Sequence, residues 1–160
     1  MIAATIHDRL QSSDAAVRRI AVIDLPYTEE EYDIIPLLIH ALSDEDAGVR
    51  LEAAKAIEGY EEPEVLQALV PLLRDTDDEV RKAAARTLAE LKHPDSAPYL
   101  LPYIADDDPQ VKSFALHAIR ALRADVAFIP AMEALKDVDA GVRREAVGVL
   151  GYLKLALRHI

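Results

Sequence analysis

No cysteine and no tryptophan occur in the sequence, and glycine appears only five times in 160 residues. Without cysteine there is no disulfide, no thiolate metal ligand and no sulfur nucleophile, a usage that suits a reducing compartment. No Gly-rich phosphate loop, nucleophile elbow or Ser/His/Asp arrangement stands out. Apolar runs are short as well. Ile2-Ala3-Ala4-Thr5-Ile6 after Met1 is too brief for a secretory leader and lacks its basic flank, and no later run nears the length that spans a bilayer. A cytoplasmic location is the resulting expectation. Basic residues are also in deficit, 18 against 29 acidic, for a formal charge of −11. Neutralising phosphates needs a positive face, so this balance argues against a general nucleic-acid binder and leaves only a local basic patch to consider.

What is abundant is Ala, Leu, Glu, Arg and Val, within a composition that is 51% hydrophobic. These residues favour helices over sheets, and the amount of apolar material is enough for a packed core. Their order is periodic. The stretch Asp77-Asp78-Glu79-Val80-Arg81-Lys82-Ala83-Ala84-Ala85-Arg86-Thr87-Leu88 has an Asp-x-x-Val-Arg core that returns as Asp14/Val17/Arg18, Asp46/Val49/Arg50, Asp108/Val111/Lys112 and Asp139/Val142/Arg143. The valines step once by 32 residues and then three times by 31. Such a period belongs to architectures built by stacking one supersecondary unit.

Each unit reads as two helices. A first helix, A, carries apolar residues seven and eleven positions before the valine: Leu10 and Ile6, Leu42 and Leu38, Leu73 and Leu69, Ile104 and Leu100, Leu135 and Ala131. A spacing of four puts each pair on one helix face. A second helix, B, carries the stripe Val80/Ala84/Leu88, repeated as Val49/Ala53/Ile57, Val111/Ala115/Ile119 and Val142/Ala146/Leu150. The alanine permits close helix approach. The aspartates Asp14, Asp46, Asp77, Asp108 and Asp139 stand where a carboxylate caps the free amides at the start of helix B. Pro109 follows one of them, at the first helical position. Pro26, Pro63 and Pro94 are expected to stop a B helix, and Pro36, Pro71, Pro98, Pro102 and Pro130 to bend helix A or delay its start.

The run Asp-x-x-Val-Arg-x-x-Ala-Ala-x-x-Leu after an apolar Leu-x-x-x-Leu helix resembles the HEAT family, and its short form is similar to the HEAT-like repeats of phycobilisome lyase subunits and many bacterial proteins. The resemblance covers nearly the whole chain. It implies an all-α fold, a right-handed α-solenoid of five HEAT-like helical hairpins in a single domain 1–160, with repeats at about 1–28, 29–61, 62–93, 94–124 and 125–160. For function it implies mainly protein-binding scaffolds, with lyases a minority. HEAT-like deoxyhypusine hydroxylases hold iron with His-Glu pairs. Here His7, His40, His93, His117 and His159 include no His-Glu dipeptide and no His-x-x-x-His pair, so no metal, cofactor or catalytic site is assigned.

The Asp and Arg/Lys ladder recurs in every repeat, so it reads as capping and bridging structure rather than one special site. The face of helix B two and six positions after the valine is more selective, and in this superfamily it lines the concave side. It carries Arg19, Leu51, Lys55, Lys82, Arg86, His117 and Arg144, with Arg120 one turn on, and no acid. Against an acidic background this stripe is the candidate protein-binding site, for a partner with an acidic or mixed patch. Glu52, Glu58, Glu90 and Glu145 stand beside it as its possible neutralisers. The reading is a non-catalytic scaffold or adaptor. The alternatives are a lyase-like or chaperone-type subunit that attaches a chromophore or cofactor to another protein, and nucleic-acid binding through the same stripe. Tyr60, Tyr99, Tyr103 and Tyr152 are further candidate anchors.

The ends depart from the pattern. Repeat 1 has an unusually apolar B helix and a link, Tyr27 to Tyr32, one residue longer than the others. The apolar tail from Leu153 to Ile160 stands where a further helix A is expected to begin, which makes a fold-back cap, a partner or a homodimer through this end the expectations.

Overall fold

A computed structural model describes residues 5–29 and 33–157, with side chains up to Lys154. Glu30, Glu31 and Tyr32 of the long link, and residues 158–160 of the tail, lie outside the described residues. Among the described residues every regular element is helical. The A helices are α1 (Ile6–Leu10), α3 (Ile34–Ala41), α5 (Pro63–Leu69), α7 (Ala97–Ile104) and α9 (Phe128–Ala134). The B helices are α2 (Ala15–Asp24), α4 (Ala47–Ala56), α6 (Asp78–Leu91), α8 (Pro109–Leu122) and α10 (Ala140–Leu157). Each hairpin leans on the next chiefly through B helices, α2 on α4, α4 on α6, α6 on α8 and α8 on α10, whereas successive A helices meet over less of their length. The result is the all-α repeat stack that the periodicity predicts, in which each unit buries a face it cannot cover alone.

The core follows the stripes. Leu38, Leu69, Leu100 and Ala131 from the A layer and Ala53, Ala84, Ala115 and Ala146 from the B layer are fully buried. One B position escaped the sequence reading: the residue five after the valine, Val22, Ala54, Ala85 or Leu116, is also buried, because it lies between consecutive B helices. Thr87 marks the contact, its hydroxyl donating to the carbonyl of Ala54 at 2.8 Å inside the core. A buried hydroxyl is tolerated there because it has that partner.

The turn between A and B is a repeated hydrogen-bond device. Asp14, Asp46, Asp77, Asp108 and Asp139 each accept from a backbone amide in the first turn of helix B at 2.8–3.1 Å. Such a cap contributes about 1 kcal/mol. Two residues earlier a second carboxylate, Asp44, Asp75, Asp106 or Asp137, accepts from the amide of the capping aspartate itself at 2.8–2.9 Å. This second carboxylate also receives the cation of the preceding repeat. Arg18 grips Asp44, and Arg50 grips Asp75, each through Nε and Nη2 at 2.8 Å, while Lys112 Nζ pairs with Asp137. Each arginine fork is anchored from behind by Nη1, which donates to turn carbonyls of its own repeat, Ser12 and Ser13 or Asp44 and Glu45. The third junction differs. Asp106 is taken by Arg74, and Arg81 turns instead to the side-chain oxygen of Gln110 at 2.8 Å.

These junctions titrate. Burial pushes the Asp44 and Asp75 carboxyls up, but the arginine fork, the amide two residues on and the arginine charge together hold both below the usual carboxylate range. Asp137 is lowered too, first by Lys112 and then by the Asp139 amide. A carboxyl whose folded pKa lies below its unfolded one contributes its full stabilisation above the unfolded value and loses it as pH falls through the folded one. Stability limited by these groups is therefore expected to hold down to about pH 4, the ordinary aspartate region, and to decline below it. Urea unfolding at a series of pH values checks this, and Asp75→Asn is expected to make the decline shallower.

One proline acts differently from expectation. Pro63 starts a helix rather than stopping one: it is the first residue of α5, where its missing N–H leaves no bond unmade. Pro36, Pro98 and Pro130 fall within the first three residues of α3, α7 and α9, the late starts that were expected. Pro71 converts the rest of its A helix to a 3-10 turn, Val70–Arg74. The tail is a correction. Rather than opening a new A helix, residues from Leu153 to Leu157 prolong α10, which reaches 18 residues against 14 for α6 and α8. In α6 and α8 the chain turns left-handed at Lys92 (φ 50°) and Arg123 (φ 51°), but the equivalent Lys154 stays helical and is followed by Leu155-Ala156-Leu157, all good helix formers.

Gly59 ends the corresponding helix of the second repeat at φ 94°, a conformation natural to glycine and costly for lysine. Lys92→Gly is accordingly expected to stabilise the chain by up to about 1 kcal/mol, relief of left-handed strain exceeding the added freedom of the unfolded state. Thermal unfolding would register it as a rise of about 2–4 °C.

Candidate functional site

The B layer brings the candidate residues onto one face, but it does not leave them as an unpaired cationic strip. Glu52, three positions after its valine, is nearly buried at 14% side-chain exposure and receives both Arg19 Nη2 at 3.2 Å and Lys55 Nζ at 3.3 Å. It therefore ties α2 to α4. Glu145 plays the same part further along, with His117 Nδ1 at 3.5 Å, Arg120 Nη1 at 3.7 Å and Arg144 Nε at 3.9 Å. Gly148 makes room for that cluster, since a Cβ there would lie 2.9 Å from Arg120 Nη1. Lys82 is held on its own helix by Asp78 at 2.6 Å and Glu79 at 3.0 Å, bonds that raise its pKa above the ordinary lysine value. Among the described residues Glu58 and Glu90 make none of the pairings open to them in sequence.

Arg86 is the exception: it is exposed and forms no ion pair or hydrogen bond among the described residues. It stands on the rim of a groove of about 420 Å³ between α4 and α6. Leu51, Ala83 and Thr87 give that groove apolar surface, and Lys55, Lys82 and Arg86 face it together with Glu58 and Glu79. A second groove of about 420 Å³ lies on α2, where Ile20 and Ile23 are 53% and 42% exposed beside Ala16 and Arg19. The apolar excess of the first B helix is thus spent partly on this face; Ala21 and Val22 alone go into the core. The groove walls at positions three and seven, Ala83 and Thr87, were not legible as site residues because nothing in their chemistry distinguishes them from core.

The tyrosines mostly join repeats. Arg74 lies 5.3 Å over the ring of Tyr103, and Arg123 5.3 Å over that of Tyr152. Gln67 donates to the Tyr99 hydroxyl at 3.3 Å. Among the described residues no group of three or more His, Asp or Glu is placed to hold a metal ion, and no helix is long and apolar enough to cross a membrane.

A family model for HEAT repeats matches residues 3–86 and again 68–151, so nearly all of the stack is accounted for by it. The chain belongs to the HEAT-repeat family. Among solved structures it is similar to the complex of CpcE and CpcF of phycocyanin lyase from Nostoc sp. PCC7120, with a TM-score of 0.69 and 25% identity over 97% of this chain and 67% of that one. It is also similar to two engineered proteins. One has a TM-score of 0.61 at 24% identity, covering 94% of this chain and 78% of the other; the second has 0.62 at 22%, covering 93% and 47%. Those two likenesses concern the fold alone. No curated protein matches the sequence significantly.

Proposed function

We propose that this chain is a non-catalytic adaptor that docks another protein on the face of its B helices, the concave side of the solenoid, as one domain of five hairpins. The observation that carries the reading is the groove between α4 and α6, where apolar Leu51 and Ala83 lie beside an exposed cation, Arg86, that no side chain among the described residues neutralises. A partner segment that combines a carboxylate with an apolar side chain fits such a groove. Arg19, Lys55, Lys82, His117, Arg120 and Arg144 then set the sign of the surrounding field, which steers encounter more than it holds the complex, because acids already pair with them. Closer packing of B helices than of A helices supports placing this face on the inside of the curve.

The test is charge reversal. Lys82→Glu with Arg86→Glu is expected to reduce recovery of the partner by at least about tenfold, the scale of one well-placed charged contact. Arg86→Glu alone is the cleaner variant, because Asp78, the partner of Lys82, also accepts from Arg81 and Gln110 at the repeat junction. Unchanged recovery with unchanged circular dichroism retires the stripe.

A second reading is a lyase-type or chaperone-type subunit that helps attach a chromophore to another protein, favoured by the likeness to the phycocyanin lyase complex. Mixing the chain with an apo-phycobiliprotein subunit and free bilin separates the two, since an adaptor leaves the bilin spectrum unchanged and yields no covalent product. Nucleic-acid binding through the stripe is opposed by the charge of −11 and by the acids inserted among the cations. Steep salt-dependent retention on DNA would revive it.

A further inference from the structure

Two neighbouring clefts in the layer of A helices occupy the same repeat position, and they differ in how they are filled. The cleft between α5 and α7 is closed from within. Arg74 lies over the Tyr103 ring and pairs with Asp106, Gln67 donates to the Tyr99 hydroxyl, and Leu66 and Val70 are 0% and 3% exposed. Between α3 and α5 these closures have no counterpart. Pro36 and Ser43 stand where Gln67 and Arg74 do, and Ala68 and Leu72 stand where Tyr99 and Tyr103 do. Ile35 and Ile39, the counterparts of Leu66 and Val70, stay only partly buried and line an open cleft of about 780 Å³ with Pro36, Ser43 and His40. Its charge is of one sign. Asp33, Glu62 and Glu64 line it as well, and no lysine or arginine does among the described residues. Asp33 is used as the cap of α3, accepting from the Ile35 amide at 3.3 Å. Glu62 makes no capping bond although it stands at the start of α5, and the side chains of Glu62 and Glu64 are exposed with no ion pair or hydrogen bond among the described residues.

We infer that the cleft between α3 and α5 docks a basic segment of another protein, with an Arg or Lys of that segment meeting Glu62 and Glu64 and an adjoining aromatic or large aliphatic side chain packing on Ile35 and Ile39. The chain itself supplies the template, because a guanidinium set on an aromatic ring is what closes the equivalent cleft between α5 and α7. Charge complementarity fixes the sign of the occupant. An acidic segment of the kind that suits the groove around Arg86 would meet three carboxylates here, so the two faces select different segments. A second copy of this chain is a poor occupant: its formal charge is −11, and most cations of its B face are already held by Glu52, Asp78 or Glu145. The inference does not rest on the B-face reading and stands if Arg86 proves inert.

The experiment selects a random peptide display library against the full chain and measures the recovered peptides singly by fluorescence anisotropy. Peptides that combine Arg or Lys with an aromatic or large aliphatic residue are expected among them. Their affinity is expected to fall at least about tenfold with Glu62→Lys/Glu64→Lys, to fall similarly with Ala68→Tyr, and to be unchanged by Arg86→Glu. Ala68→Tyr gives α5 the ring that α7 carries as Tyr99, so it acts by filling space and leaves the charge alone. The inference is overturned if no recovered peptide is basic, or if the basic ones bind both variants as well as they bind the unaltered chain. Both glutamates are exposed, so their reversal is expected to keep native helix content, and if Ala68→Tyr does not fold the glutamate variant decides alone. Basic peptides lost with Arg86→Glu but not with the glutamate reversal occupy the B-face groove, which also overturns it. Should the unaltered chain self-associate, and the glutamate reversal abolish this, the occupant is a second copy and the assignment to another protein falls.

Discussion

Asp75→Ala is expected to destabilise the protein by about 3 kcal/mol, the range for removing one partner of a buried ion pair. Asp75 is 7% and Arg50 14% exposed at the side chain, so little solvent is at hand to replace the lost bonds. The substitution removes two charge-assisted hydrogen bonds of 2.8 Å to Arg50 and a third, of 2.9 Å, from the Asp77 amide. It also leaves a guanidinium fixed by the Asp44 and Glu45 carbonyls with no anion in front of it. Asp75→Asn keeps an acceptor for the Asp77 amide and is expected to cost less. Urea unfolding measures both, and a double-mutant cycle with Arg50→Ala isolates the pair, with a coupling energy of at least about 1 kcal/mol expected. A loss below about 0.5 kcal/mol would mean that these junctions are ornamental and that apolar packing alone joins the repeats.

The second large effect compares one repeat position in two hairpins. Leu116 and Val147 both stand five residues after the motif valine, but Leu116 is fully buried between α8 and α10 while Val147 is 60% exposed. Leu116→Ala is expected to cost about 3 kcal/mol, the transfer term plus the cavity that close-packed helices cannot collapse into. Val147→Ala is expected to change stability by less than about 0.5 kcal/mol, because it empties no interior space and alanine is the better helix former. Chemical denaturation of the two variants under one set of conditions decides the matter. Equal losses would mean that the last hairpin is covered by something within the chain. Because contacts in such stacks are only between neighbours, the Leu116 variant is further expected to loosen the fifth hairpin ahead of the first.

Much of this was readable beforehand because a repeat states its own rules several times. One Asp-x-x-Val-Arg motif is ambiguous, whereas five in register locate the caps, the alanines of close approach and the core leucines. The bridging partners were harder to see. Asp44, Asp75 and Asp137 lie 25 or 26 residues from the cations they hold, and among many turn acids nothing local sets them apart. The switch at the third junction, where Gln110 replaces Asp106 because Arg74 has claimed it, depends on side-chain reach between layers. On the candidate face the sequence offered Glu52, Glu58, Glu90 and Glu145 as neutralisers without distinguishing among them. Glu52 and Glu145 sit three positions after their valines, near enough to fold in beneath the cations and pair with them, which leaves Arg86 as the cation beside the groove without an ion-pair partner among the described residues.

By itself the sequence determined the helical class, the hairpin period, the cap positions and the inward stripes, because these arise from short-range spacing and backbone hydrogen bonding that neighbouring residues dictate. Tertiary structure alone decided which carboxylate meets which cation, which basic side chains remain free, and which apolar residue of a repeated position is left uncovered. Those outcomes depend on distances between separate repeats and on competition among several acids for one cation, and no local pattern in the chain encodes that competition.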